Sequence, residues 1–341
     1  MKFKNTLALL LGTALALGGA VSTLQAKEIR WGTSRIGSSG HRAVTNLANV
    51  MKGKLAGYDI TVQPTPGAIL TVKGYAMGKF DGYYGSDIAF FEYANSIKRF
   101  KGFKSQAKRE PVQSFWTFTI EMGVGIHARD IGKITSWGDL AGQDFFTGPR
   151  PWDTRAQLER ALGVLGVNFN YKEVSVKTAG SLLESGSFKA FGVYTNAEAT
   201  TAGWIQQASL QTDWAALNPS ESEIRKLKAA GFKVVQVPTK VFGKRKTHVA
   251  MQTMLPFYYG LHLGMDVSEE DMYQILKAIE ANVGALAKAD KAFKQIEADM
   301  AGMQVRGVTA AVDQVKIHPG LAKYMREKGV WQSKWDSRVA N

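Results

Sequence analysis

Asp144-Phe145-Phe146-Thr147-Gly148-Pro149-Arg150-Pro151-Trp152-Asp153-Thr154-Arg155 is the stretch that decides how this chain reads. It opens as a short apolar run of strand type and turns at Gly148-Pro149. It then feeds Ala156 to Leu165, where Leu158, Leu162 and Leu165 fall on one helical face. Thr154 is placed to cap that helix, and Gln157 three residues on completes a capping box. The first amides of a helix lack intrahelical partners and sit at the positive end of its dipole, so they attract anions. Arg150 and Arg155 flank that end and Trp152 offers a flat wall, a set that suits a carboxylate, sulfonate or phosphate.

The same strand, small-residue loop and helix recur upstream. Glu28 to Thr33 alternates as a strand and runs into Ser34-Arg35-Ile36-Gly37-Ser38-Ser39-Gly40. The helix after it carries Val44, Leu47, Met51 and Leu55 on one face, with Ser38 or Ser39 as its cap and Arg35 and His41 as candidate contacts. Asp59 to Gln63 leads through Pro64-Thr65-Pro66-Gly67 into a helix beginning near Ala68, and Phe80 to Gly85 leads to Ser86-Asp87 and another helix. Such alternation implies a parallel sheet with helices on its faces, and ligands in such sheets sit beyond the carboxyl ends of the strands. None of these loops has the spacing of a nucleotide-binding fingerprint.

Two long apolar runs stand apart. Phe115 to Ile126 reads as a strand leaving the first domain, and Met254 to Leu263 as a return strand with Pro256 at an edge or bend. Between them, Val174 to Val176 and Ala190 to Tyr194 read as strands, Ser222 to Ala230 as a helix and Phe232 to Pro238 as a strand. After Ser268 the chain reads as helical, with a break over Gly302 to Val308 and a last helix started by Pro319 and stopped by Gly329. The expected fold class is α/β, with two lobes joined by crossing strands and a ligand cleft between them. Residues 27–121 plus 265–341 form lobe I, and 122–264 form lobe II.

Residues 1–26 read as a secretory signal peptide: Lys2 and Lys4, an apolar Leu7 to Leu17, and a small-residue site at Leu24-Gln25-Ala26. The remainder of the 341 residues suits two ordinary domains. The formal charge of +14 becomes +12 without Lys2 and Lys4. With export, that charge speaks against nucleic acid and for a solvated surface that also attracts an anionic solute. Only Lys244-Arg245-Lys246 is a compact basic cluster. The chain has no Cys, its five His are far apart without metal spacing, and no Gly-x-Ser-x-Gly elbow occurs. A binding role without cofactor, metal or catalytic residues is therefore expected, in place of an enzyme.

Several stretches, in order, resemble the TAXI family of extracytoplasmic solute receptors of TRAP transporters. They are Gly32-Thr33-Ser34 with Gly37-Ser38-Ser39-Gly40, Thr65-Pro66-Gly67-Ala68, Gly78 to Gly82 with Ser86-Asp87, Ile134 to Gly142 leading to Gly148-Pro149, and Ile317 to Tyr324 with Glu327-Lys328-Gly329. The resemblance implies a two-lobed periplasmic binding protein fold (type II-like). It also implies delivery of an organic solute to TRAP membrane subunits driven by an ion gradient. The ligand loops depart from that family at Arg150 to Thr154, at His41-Arg42-Ala43 and at Gly186 to Ala190. The expected ligand is a small organic anion of carboxylate type. The candidate ligand-binding set is Ser34, Arg35, Ser38, His41, Gly67, Ala68, Ser86, Asp87, Arg150, Trp152, Asp153, Thr154, Arg155 and Tyr194. The alternative is a binding protein for an ABC-type importer of a sulfonate or related solute.

Overall fold

A computed structural model describes residues 26–55, 57–243 and 249–341. The signal peptide expected over the first residues, the Lys244-Arg245-Lys246 cluster and His248 lie outside these described residues, save for Ala26. Among them, eleven strands form one sheet. Its spine runs Tyr58–Pro64, Lys27–Thr33, Gly82–Ser86, Met251–Leu263, Trp116–His127, Ala190–Asn196, Asp144–Phe146 and Asn170–Tyr171. Trp214–Leu217 adds to Trp116–His127, and Val235–Pro238 to Met251–Leu263.

The architecture is α/β and two-lobed. In the first lobe, Lys27–Thr33 pairs parallel with Tyr58–Pro64 from Lys27 opposite Tyr58 to Thr33 opposite Pro64. In the second, Asp144–Phe146 pairs parallel with Ala190–Asn196. The two long strands cross between the lobes and pair antiparallel with each other, Leu255 opposite Met122 through Tyr259 opposite Phe118. The far part of Met251–Leu263 pairs with Gly82–Ser86, and the far part of Trp116–His127 with Ala190–Asn196. Pro256 lies within its strand opposite Glu121, and the register shifts between Tyr259 and Gly260.

The sequence reading is corrected in three places. Val174 to Val176 is not a strand; the strand there is the short Asn170–Tyr171. Gly302 to Val308 is not a break but lies inside the helix Lys294–Ala311, whose single irregular residue is Asp299, at φ −162° and ψ 85°. Gly307 is small because the helix presses there on the crossing strand: a Cβ would stand 2.1 Å from the Trp116 indole. Third, Thr154 does not cap its helix. Trp152 is the N-cap and Asp153 opens the helix, with no side-chain cap bond.

The helix Lys294–Ala311 also fastens the first crossing strand through polar groups. Gln304 accepts from the Trp116 amide and donates to its carbonyl, both at 2.8 Å, and Gln295 accepts from the Thr119 amide at 2.8 Å. These bonds satisfy strand backbone near the register shift, where the ladder cannot. On the same strand Glu121 is fully buried. It accepts from Thr119, from the Thr195 hydroxyl at 2.5 Å and from the Glu198 amide at 3.0 Å.

Burial raises the Glu121 carboxyl to about 8 against those donors, from an ordinary 4.5. A carboxyl whose folded value is raised stabilises the fold fully below its unfolded value and loses that contribution as pH climbs through the folded one. The window here is pH 4.5 to about 8. Glu121→Gln removes the titration, so its melting-temperature deficit relative to wild type should shrink between pH 5 and pH 9. A deficit that stays constant in differential scanning calorimetry contradicts this.

Candidate functional site

Four helix starts are carried to one place by the strands before them. Ser38 caps the helix Ser39–Met51 by accepting from the His41 amide at 3.3 Å. Gly67 precedes the helix Ala68–Ala76, and Thr65 ties that loop to the first by donating to the Thr33 carbonyl at 2.9 Å. Ser86 caps Asp87–Ala94 by accepting from the Ala89 amide at 3.0 Å. From the second lobe comes the start of Asp153–Leu165.

Where these meet is a small cavity of about 30 Å³. Ser34, Ser38, Ser39, Gly40, Ala68 and Tyr84 line it from the first lobe. Ile120 and Tyr259 line it from the crossing strands, and Trp152, Asp153, Thr154 and Tyr194 from the second lobe. Tyr84 stacks on Tyr259 with centroids 4.2 Å apart, and Trp152 meets Tyr194 edge-on at 6.4 Å. Organic ligands occupy sites of roughly 300–1,000 Å³, whereas this cavity has room for about one water.

The second lobe closes by inserting Asp153 into the first. The Asp153 side chain is fully buried. Its Oδ2 accepts from the Ser86 hydroxyl at 2.7 Å and the Tyr259 hydroxyl at 2.5 Å, and its Oδ1 from Arg99 Nη1. Arg99 also donates to Glu92 at 2.7 Å. Burial works against the Arg99 charge, but Asp153 and Glu92 together hold it above its ordinary value. Burial and the neighbouring Asp153 carboxylate push the Tyr259 phenol well up, so it stays a donor. Beside this plug, the Trp152 indole donates to the Pro66 carbonyl at 3.4 Å, and Pro151 packs against Gly67.

The expected site residues divide accordingly. Ser34, Ser38, Ala68, Trp152, Asp153, Thr154 and Tyr194 face the cavity, and Ser86 reaches it through Asp153. Gly67 is occupied by Pro151. His41 turns to Thr33, its Nδ1 3.0 Å from the hydroxyl, and burial lowers its pKa. Asp87 faces the crossing strand, accepting from the Tyr258 amide at 3.1 Å, and burial raises it to about 7. Arg35 is exposed on the loop beside the cavity.

The two arginines expected at the site, Arg150 and Arg155, do not line this cavity. Arg150 is 70% exposed and pairs with Glu173 at 3.3 Å. Arg155 pairs with Glu159 at 2.7 Å, and both arginines stack on Tyr171. They line a second groove of about 400 Å³, whose facing wall is Ile88, Phe91, Glu92, Ile97, Lys98 and Arg99. Successive helical residues are about 100° apart, so Arg155 points roughly 200° away from Asp153. Sequence reasoning passed over Ser39, Gly40, Tyr84, Ile120, Tyr259 and Arg99. Arg99 sits among the scattered basic residues from Lys98 to Lys108, where no local pattern marks it.

Among the described residues no group of His, Cys, Asp and Glu is arranged to hold a metal, and no helix is long and apolar enough to cross a membrane. His262 and His318 are structural. His262 Nδ1 accepts from the Ser114 and Phe115 amides, and His318 caps the last helix. Burial lowers the two imidazoles to about 3 and about 4.

Comparison with known proteins gives a match of residues 32–329 to a family model described as the NMT1-like family. The TAXI resemblance of the short motifs is not what this match supports. No curated protein matches. Similar solved structures include the periplasmic aliphatic sulphonate binding protein SsuA of Escherichia coli. It shares 11% identity over 92% of this chain and 97% of that one, with TM-score 0.44. A putative L-cystine ABC transporter protein of Listeria monocytogenes has 12% identity over 79% and 96%, at TM-score 0.45. PhnD1 of Prochlorococcus marinus in complex with methylphosphonate has 12% over 79% and 88%, at TM-score 0.43. Likeness at this level concerns the fold and says nothing of ligand.

The two kinds of arginine should separate in urea unfolding. Arg150→Ala removes an exposed pair worth up to about 1 kcal/mol. Arg99→Ala leaves Asp153 buried without its cation, a loss of about 3–5 kcal/mol if the lobes stay shut and less if they part and admit water. Equal losses for the two variants would contradict the placement.

Proposed function

We propose that this chain, which belongs to the NMT1-like family, is an exported solute-binding protein. It closes two lobes over a small organic anion and presents it to a membrane importer. The observation that carries the reading is the convergence of helix starts from both lobes on one small cavity, with two long strands crossing between the lobes. Free amides of helix tips bind anions without a cation of their own. Ser34, Ser38, Ser39 and Thr154 add hydroxyls, and Trp152 and Tyr194 give the solute an apolar wall.

Parting of the lobes supplies the volume that the small cavity lacks. A binding role suits the way the polar groups are engaged: Ser38 caps a helix, His41 holds Thr33, and Asp153 is neutralised by Arg99. The proposed compartment is the periplasm, reached through the leader. The match is to the NMT1-like family, and it supports neither a TAXI receptor nor an ion-gradient permease in particular. The partner we propose is therefore an ABC-type importer, of the kind named for the cystine protein above, with a sulfonate or carboxylate as cargo.

Native mass spectrometry of gently purified protein should show a bound species that leaves on denaturation and is an organic anion. Trp152→Ala should lower its occupancy about tenfold or more, by loss of one buried aromatic wall. A protein that carries nothing and binds none of a panel of carboxylates, sulfonates and phosphonates would contradict the reading. Neighbouring genes for an ATPase subunit would support the ABC partner; a fused large ion-coupled permease would overturn it.

A further inference from the structure

The cavity is small, about 30 Å³, and one of the groups that line it is the fully buried carboxylate of Asp153. We propose that Asp153 is an internal stand-in for the acid group of the solute. Ser86, Tyr259 and Arg99 form an anion socket that a carboxylate or sulfonate occupies once the second lobe withdraws Asp153. The inference rests on the cleft being the solute site.

The socket is built entirely outside the second lobe. Ser86 ends a first-lobe strand, Tyr259 lies on a crossing strand, and Arg99 follows the first-lobe helix Asp87–Ala94. Two hydroxyls and a guanidinium converge on a pair of oxygens, the donor set that recognises a planar acid group. Glu92 holds the Nε edge of Arg99 at 2.7 Å, which leaves the Nη edge to Asp153.

Asp153 fits that edge incompletely. It takes Nη1, whereas Nη2 is buried with no hydrogen-bond partner. A short side chain fixed to the first turn of a helix cannot slide to take both donors, but an untethered carboxylate can bind side-on and satisfy both. The buried, unbonded Nη2 is therefore the mark of a socket shaped for something other than its present occupant.

A tethered competitor sets a threshold. Its effective concentration is on the order of millimolar or more, so a bare small anion does not displace it. A solute that also packs on Trp152 and Tyr194 does. Asp153 thus acts as a specificity residue by exclusion, admitting acids that bring an apolar body.

The test is calorimetric titration of the mature chain with benzoate, benzenesulfonate and neutral benzamide. Asp153→Ala should bind benzoate about ten- to a hundredfold tighter than wild type, the value of a charge-assisted bond. Adding Arg99→Ala should abolish the gain, and benzamide should not respond to either change. Benzenesulfonate following benzoate extends the socket to sulfonates; failing to follow restricts it to carboxylates. Equal benzoate affinity in wild type and variant would overturn the proposal. So would a gain shared by benzamide, or one that survives loss of Arg99. Asp153→Asn keeps the volume and removes the charge, and gives the same reading if the alanine variant does not fold. A solute found in wild type by mass spectrometry, without a benzoate gain in either variant, removes the socket and leaves the cleft reading in place. No binding in any form removes both.

Discussion

The closed shape depends on one carboxylate. Asp153 leaves the second lobe at the first position of its helix and ends among Ser86, Tyr259 and Arg99. Each contact crosses from one lobe to the other or to a crossing strand, so the geometry exists only while the lobes are shut. A buried ion pair is weak evidence for net stability, because desolvation offsets most of the attraction. What the pair does well is choose between states. Shut, the charge is matched by three donors; parted, water solvates it.

The sheet makes such a choice mechanically available. Each lobe owns its parallel strands and helices, and the connection is carried by Trp116–His127 and Met251–Leu263. The helix Lys294–Ala311 grips the first of these with Gln304 and Gln295. That grip fixes the crossing strand to the first lobe at its near end and leaves the far end to the second. The groove with Arg150 and Arg155 and the small cavity are each lined by residues of both lobes.

Much of this was written in the sequence. The repeated strand, small-residue loop and helix marked the first lobe, and the long apolar runs from Phe115 and Met254 marked the crossing strands. Those signals are local: period, turn residues and length. Loop positions after strands, where parallel sheets place their sites, pointed to Ser34, Ser38, Trp152, Thr154 and Tyr194, and these line the small cavity. The cation was missed for the opposite reason. Nothing local distinguishes Arg99 from Lys98 or Lys101, and its partner is 54 residues away. Arg150 and Arg155 stood beside the helix tip in sequence, but helical geometry turned Arg155 to Glu159, and Glu173 held Arg150 outside. Gly302 and Gly307 read as helix breakers, whereas Gly307 is small so that a helix can lie against Trp116.

Because the chain has no cysteine, spin labels can be placed at will, one in each lobe at the exposed Ser105 and Arg225. Pulsed dipolar spectroscopy of that pair reads lobe separation directly. With Asp153 intact, a single short distance should dominate in the absence of added solute. With Asp153→Ala, a longer population should grow as the second lobe comes free. Identical distance distributions for the two proteins would contradict the claim that this carboxylate holds the lobes together.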